Sequence, residues 1–245
     1  MLKRISKEDA LILLKKEPIG CSNIIGFLKN NEKVTIWTDN KDNPGGIFII
    51  DGYFRYLYAK NLSFAYEIKK RGSKLKQYVG FSSVLEDTAN IILEGEECNW
   101  RNTCYLYYYD GNSCQFKEDI NVRKLEAEDA ETVNHYYTYK SKWSLQDIKN
   151  CIKERPAYGY IVDGELVSWL LVHNDDSMGI MYTKEGFRKR GIAKILTEYV
   201  IAAQLDRGML PYLHILKDNE ASIKLAESSG FKRYGLVEWF GIKGH

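Results

Sequence analysis

Between Lys184 and Lys194 the chain places five basic side chains, Lys184, Arg188, Lys189, Arg190 and Lys194, against a single acidic one, Glu185. Over the whole chain charge is almost balanced, with 35 Lys and Arg against 33 Asp and Glu, so this concentration stands out. Gly191 and Ala193 sit inside the run and are small enough for a ligand to approach the backbone. Directly afterwards Ile192, Ile195, Leu196, Tyr199, Val200 and Ala203 recur at helical spacing. The basic run therefore lies at a helix start, where amides lack partners and the helix carries roughly half a positive charge. That chemistry suits a phosphate group. Neither a GxxxxGK(S/T) loop nor a GxGxxG fingerprint occurs, so the common mononucleotide and dinucleotide loops are absent. An ordinary basic helix start on the surface has the same composition.

Other candidate chemistry is sparser. Asp175 and Asp176 precede the strand that leads into the loop, Tyr182 lies in it, and His173 and His214 lie on predicted strands. Each can carry a proton. Asn174-Asp175-Asp176 also reads as a plain turn, and a strand histidine or tyrosine also reads as packing. Cys21, Cys98, Cys104, Cys114 and Cys151 are odd in number, irregularly spaced and without a CxxC, which predicts reduced thiols and no metal site. Tyr105, Tyr107 and Tyr109 alternate on one strand face, a pattern of cross-strand packing or of a base-stacking platform. No basic stripe flanks them.

The elements that must position these residues follow from periodicity. In the first half, helices are expected over 7–16, 62–70 and 84–93, and strands over 34–38, 45–51, 53–59, 78–82 and 104–109, with a tight turn at Asp51-Gly52. The polar stretch 111–119 reads as a linker. After it come a strand at 122–125, helices at 127–139 and 145–154, a hairpin of 158–162 and 166–172 about Asp163-Gly164, and a strand at 177–183. Then follow the helix 190–205, a strand at 212–216, a helix at 219–228 and a strand at 236–240. The expected fold class is α+β, a mixed and mainly antiparallel sheet flanked by helices, in two domains, 1–118 and 119–245.

The run Arg188-Lys189-Arg190-Gly191-Ile192-Ala193 resembles the Arg/Gln-x-x-Gly-x-Gly/Ala pyrophosphate loop of the GNAT superfamily of N-acyltransferases. The later run from Asn219 to Phe231, ending in Gly230-Phe231, resembles that superfamily's closing helix. Val122 to Leu125 followed by Glu128-Asp129-Ala130 is similar to its opening. The resemblance covers about residues 120–245. Tyr212 to Leu216, with Asn219 and Ser222 to Leu225, resembles the glycine N-acyltransferase-like branch, which also carries a preceding, diverged domain of similar layout.

The resemblance implies an acyl-CoA co-substrate, acetyl-CoA or another, and no metal. Met181, Tyr182 and Thr183 would bond the pantetheine arm and acyl carbonyl through their backbone. Amides of Arg188, Lys189, Arg190, Gly191, Ile192 and Ala193 would hold the pyrophosphate, and Asn219 would reach the pantetheine or phosphate region. A splay between strands 177–183 and 212–216 would admit the thioester. The family's tyrosine acid would fall at Ala226, which has no proton to give. The glycine acyltransferase carboxylate would fall at Ser177, beside Asp175 and Asp176. Asp176, Tyr182 and His214 are the candidate catalytic residues.

The reaction implied is direct attack of a primary amine on the thioester in a ternary complex. For a lysine-like amine of pKa about 10.4, neutrality at pH 7 costs about 4–5 kcal/mol; for an α-amino group near 8 it costs about 1. The acceptor is expected to be a small-molecule or peptide amine. The alternative is a CoA-binding sensor or scaffold without turnover, which the alanine at 226 would suit.

Bulk composition excludes other classes. With 44% hydrophobic and 28% charged residues the 245-residue chain is globular. A net charge of +2 gives no basic arm for nucleic acid. No apolar run approaches the roughly 18 residues of a membrane span, and Met1 to Ile5 leads into a helical pattern rather than a signal core. A cytoplasmic protein without membrane or nucleic-acid partners is expected, and a homodimer is compatible with the first half shaping an interface.

Overall fold

A computed structural model describes residues 1–72 and 78–243. In chain order the elements are β1 (Lys3–Ile5), α1 (Lys7–Leu14), α2 (Ser22–Asn30), β2 (Ile36–Thr38), β3 (Gly46–Asp51), β4 (Phe54–Ala59), α3 (Leu62–Gly72), β5 (Tyr78–Leu85), α4 (Glu86–Leu93) and β6 (Cys98–Tyr108). They continue as β7 (Val122–Lys124), α5 (Ala130–Tyr136), α6 (Ser144–Glu154), β8 (Ala157–Val162), β9 (Glu165–Val172), β10 (Met178–Thr183), α7 (Ile192–Asp206), β11 (Tyr212–Leu216), α8 (Glu220–Ser228) and β12 (Lys232–Lys243). The order strand, two helices, three strands, helix, strand, helix, strand thus occurs twice. The fold is α+β, with a large, mainly antiparallel sheet ordered β1-β2-β3-β4-β5-β12-β6-β11 and a second sheet ordered β10-β9-β8-β7.

The chain forms two compact units. The first holds Met1–Leu106, Ile215–Asn219 and Arg233–His245; the second holds Tyr107–His214 and Glu220–Lys232. The expected boundary at 118/119 follows the polar linker, whereas compactness returns the last strand to the first unit. There β12 pairs antiparallel with β5, from Val237 opposite Leu85 to Lys243 opposite Tyr78.

In the first unit α1 and α2 pack Leu13, Leu14, Ile24, Phe27 and Leu28 onto Ile36, Ile47 and Ile49 of the sheet. The opposite layer is built on Leu57, Phe64, Ile68, Phe81 and Phe240, with the rings of Phe81 and Phe240 stacked at 4.8 Å. Each such fully buried side chain contributes about 1.5–3 kcal/mol. Glu238 is buried on β12, where Arg101 grips it through Nε at 3.0 Å and Nη2 at 2.8 Å. The hydroxyl of Thr103 donates to it at 3.0 Å.

In the second unit α5 and α6 bury Ala130, Val133, Ile148 and Cys151 against Ala157, Leu166, Trp169 and Leu171. Asp163 and Gly164, with φ of 50° and 80°, make the expected tight turn between β8 and β9. Helix α7 buries Ile192, Leu196, Val200, Ile201 and Gln204 on one side. It stops at Gly208, whose φ is 65° and whose N–H reaches the Leu205 carbonyl at 2.8 Å. Three elements were not expected: β1 at Lys3–Ile5, α2, whose Gly26 interrupts its apolar run, and the polar first half of β6, Cys98 to Thr103.

Candidate active site

The loop between β10 and α7 is shaped by backbone conformation. Residues Glu185–Phe187 form one 3-10 turn, Lys189 has φ of 61°, and Gly191 caps α7 with φ of 80°. Only glycine adopts that last conformation without a steric cost. A Cβ built at Gly191 would meet nothing within 4 Å, so the concave side of the loop is open. Among the described residues, the amides of Lys189, Arg190, Gly191, Ile192 and Ala193 donate to no protein acceptor. Lys189, Arg190 and Lys194 likewise enter no ion pair among the described residues. Arg188 is steadied by its Nε, which donates to the Thr183 carbonyl at 3.0 Å, and by its position 5.6 Å over the Tyr182 ring. Lys184 is differently employed, paired with Glu165 at 2.6 Å.

Strand β10 ends its sheet, and the order of the two sheets leaves it without β11 as a neighbour. The Lys184 amide donates to the Val167 carbonyl at 2.9 Å. Antiparallel alternation then turns the Thr183 N–H to the free edge. A bulge between Gly179 and Tyr182 interrupts the ladder, with Ile180 at φ of 53°. The Tyr182 carbonyl already accepts the Ser168 hydroxyl at 2.9 Å. Its ring is stacked between Trp169 at 5.3 Å and Tyr136 at 4.7 Å. Tyr136 had no signature in the sequence, since it closes a helix with little periodicity.

At the other end of β10 lies a polar cluster. The Asp175 carboxylate is buried and accepts the Ser177 hydroxyl at 2.6 Å and the Ser177 amide at 3.1 Å. The Tyr212 hydroxyl donates to the Asp175 carbonyl at 2.5 Å, and its ring lies edge-on to His214 at 5.5 Å. His173 packs over Gly179 so closely that a Cβ there would stand 2.4 Å from its Nε2. Burial pushes the His214 imidazole down to about 4, opposed by the Asp175 charge and reinforced by His173. Burial lowers His173 too, again opposed by Asp175. Both rings are therefore neutral at pH 7, burial outweighing the Asp175 charge that favours the imidazolium.

This depression has a pH signature. A His214 held near 4 when folded and near 6.5 when unfolded favours the folded state fully above pH 6.5. That contribution falls away as pH drops from about 6.5 to about 4. The melting temperature is expected to decline over this window, and His214→Gln is expected to flatten the decline. A His214→Gln curve parallel to that of the natural chain would contradict the assignment.

Asp176 is drawn elsewhere. It is fully buried with φ of 64°, and its Oδ1 accepts Arg207 Nη1 at 3.0 Å. Gln204 Nε2 donates to its carbonyl at 3.0 Å. The residue fastens the C-terminal end of α7 to the turn, a packing role that leaves its carboxylate committed to Arg207. Arg207→Ala is expected to lower stability by about 3 kcal/mol, the low end for a broken buried pair because Arg207 is partly solvated. Denaturant titration measures this; a loss below about 1 kcal/mol would show that the pair does not bind the helix to the turn.

Asn219 lies in the first unit and is exposed, its amide donating to the Leu216 carbonyl at 2.9 Å. Ala226 is buried on α8. Among the described residues no group of His, Cys, Asp or Glu is arranged to hold a metal ion, and no helix is long and apolar enough to cross a membrane.

The first unit repeats the element order without repeating the loop. Its β4 and β5 are paired in parallel, Phe54 opposite Gly80 and Arg55 opposite Phe81. The start of α3 is capped by Asn61, whose Oδ1 accepts the Phe64 amide at 3.1 Å.

Residues 159–240 match the model of the FR47-like protein family. Human glycine N-acyltransferase-like protein 2 is 28% identical over 111 residues, which is 44% of this chain and 37% of that protein. The chain thus spans little more than a third of that relative. Among solved structures, a Drosophila protein superposes with a TM-score of 0.80 at 15% identity over 98% of both chains. A tandem GNAT protein from the clavulanic acid biosynthesis pathway gives a TM-score of 0.58 at 12% identity over 100% of this chain and 99% of that one. The repeated element order, the open loop before α7 and these likenesses converge: the chain is a GNAT-fold protein that carries an FR47-like segment at residues 159–240.

Proposed function

We propose that the chain is an acyl-CoA-dependent N-acyltransferase whose second unit binds the donor and acts on a small-molecule or peptide amine. The observation that supports this most is the open loop at the start of α7, with five amides that donate to no protein acceptor and three cations in no ion pair among the described residues, Arg190 resting 5.1 Å over the Phe187 ring. That donor set fits a diphosphate, and the absence of a side chain at Gly191 leaves the space for one. The exposed edge of β10 at Met181 and Thr183 suits an extended amide-containing arm, which would add to the strand as a peptide does. The name of the human relative supports N-acyl transfer as the reaction.

Acyl-CoA would supply the acyl group as a thioester. The chain's own contribution is to hold and to move a proton. Six residues of β10 span about 17 Å at about 3.4 Å per step, so the loop and the histidine cluster lie at opposite ends of one edge strand. Phosphates held at the loop place the far end of the arm toward His214. There a neutral imidazole, with Asp175 beside it, takes the proton that the attacking amine loses as the C–N bond forms, and passes it to the coenzyme A thiolate that leaves as the C–S bond breaks. Fixing donor and acceptor together supplies an effective molarity of roughly 10⁵ M or more.

The test is thiol release from acetyl-CoA with a panel of amines and amino acids. Amine-dependent release, at one coenzyme A bound per chain, is expected. The stoichiometry follows from the capped α3 start and the paired β4 and β5 of the first unit. Saturable CoA binding without release for any amine would favour the non-catalytic binding module, and two CoA per chain would contradict the assignment of the first unit.

A further inference from the structure

A separate cavity of about 620 Å³ lies in the second unit, on the side of α7 that carries Tyr199 and Asp206. Its walls come from three places in the chain: the 116–122 segment, Tyr158 of β8, and the C-terminal half of α7. Three rings meet there. Phe116 lies 4.4 Å from Tyr199 and Tyr158 lies 5.6 Å from it, centroid to centroid. Three carboxylates, Glu118, Asp119 and Asp206, share the lining, and no lysine or arginine does. None of the three enters an ion pair among the described residues. The walls are held in place: the Asp119 amide donates to the Tyr199 hydroxyl at 2.7 Å, and the Tyr160 hydroxyl donates to Asp119 Oδ2 at 3.2 Å. The Asp206 charge is felt inside, since it adds to burial in raising the Tyr158 hydroxyl.

An aromatic cavity with three negative charges and no protein cation calls for a positive ligand. The carboxylates do not converge on a point, for among the described residues no three acidic groups are placed to hold one metal ion. An inorganic ion therefore satisfies two of them at most. A chain of methylenes carrying separated ammonium groups satisfies several, and its apolar stretches pack on the rings. We propose that this cavity binds an aliphatic polyammonium cation of the di- and polyamine class. The site is distinct from the α7 loop, and the inference does not rest on acyl transfer.

The probe is spermidine, titrated calorimetrically into the full chain. Saturable binding to one site is expected, weakened by added salt. Glu118→Gln combined with Asp206→Asn is expected to weaken it roughly tenfold or more, about 1.4 kcal/mol or above. Both residues are exposed, so the variant keeps its fold, which an unchanged melting temperature in the absence of spermidine verifies. Phe116→Ala is expected to weaken binding severalfold through the lost ring face. Magnesium at equal concentration of charge is expected to compete poorly. Three results would each overturn the proposal: no saturable heat, an affinity unchanged in the double variant, or displacement by magnesium as effective as by a second polyamine.

Discussion

Gly191→Asn is expected to weaken coenzyme A binding at least a hundredfold while the protein stays folded. Asparagine tolerates the left-handed conformation that Gly191 occupies at φ of 80°, so the backbone of the loop survives the change. Its side chain, however, enters the open space in which the phosphates would sit. Charge-assisted bonds to backbone amides contribute about 1.5–3 kcal/mol each, so losing two or more weakens binding at least a hundredfold. Gly191→Trp blocks the same space with a larger side chain. Arg188→Ala removes one exposed cation and its bond to the Thr183 carbonyl, and is expected to cost about tenfold. Calorimetric titration with CoA, alongside the melting temperature of the unliganded protein, separates binding from folding. A matching fall in melting temperature would make the loop structural instead.

If His214 is the proposed base, His214→Ala is expected to lower turnover by about 10² to 10⁴, the usual contribution of a positioned general base, and to leave the CoA dissociation constant unchanged. The histidine lies near Asp175 and His173, toward the end of β10 away from the α7 loop, so its removal is expected to leave that loop unchanged. In the natural chain kcat/KM is expected to carry no inflection from this residue near 6.5, because the imidazole is already neutral down to about 4. Asp175→Asn shifts that limb to still lower pH, since the carboxylate is what holds the ring pKa up against burial. Single-turnover rates across pH measure both effects. A His214→Ala variant with undiminished turnover would remove the residue from the mechanism.

The part of this account that was legible in the sequence is the part written locally. A cluster of cations, a glycine and a 3.6-residue apolar period lie within twenty positions, and they specify a helix start with an open cap without reference to the rest of the chain. The hairpin at Asp163-Gly164 was equally local. What escaped was non-local. The proximity of His173, Asp175 and His214 depends on how a turn before β10 meets the start of β11, some forty residues later. Asp176 and Asp175 are neighbours with the same charge, yet one faces Arg207 and the other Ser177; only the left-handed backbone at Asp176 separates them. The first half of β6 alternates polar residues because Arg101 and Thr103 serve the buried Glu238 of β12, a partner some 135 residues away.

The most direct measurement is the movement of backbone amide resonances as coenzyme A is added to isotopically labelled protein. The amides of Lys189, Arg190, Gly191, Ile192 and Ala193 should shift most, and saturate together at one equivalent, with the start of α3 unmoved. Resonances of that segment that stay in place while CoA binds elsewhere would contradict the account.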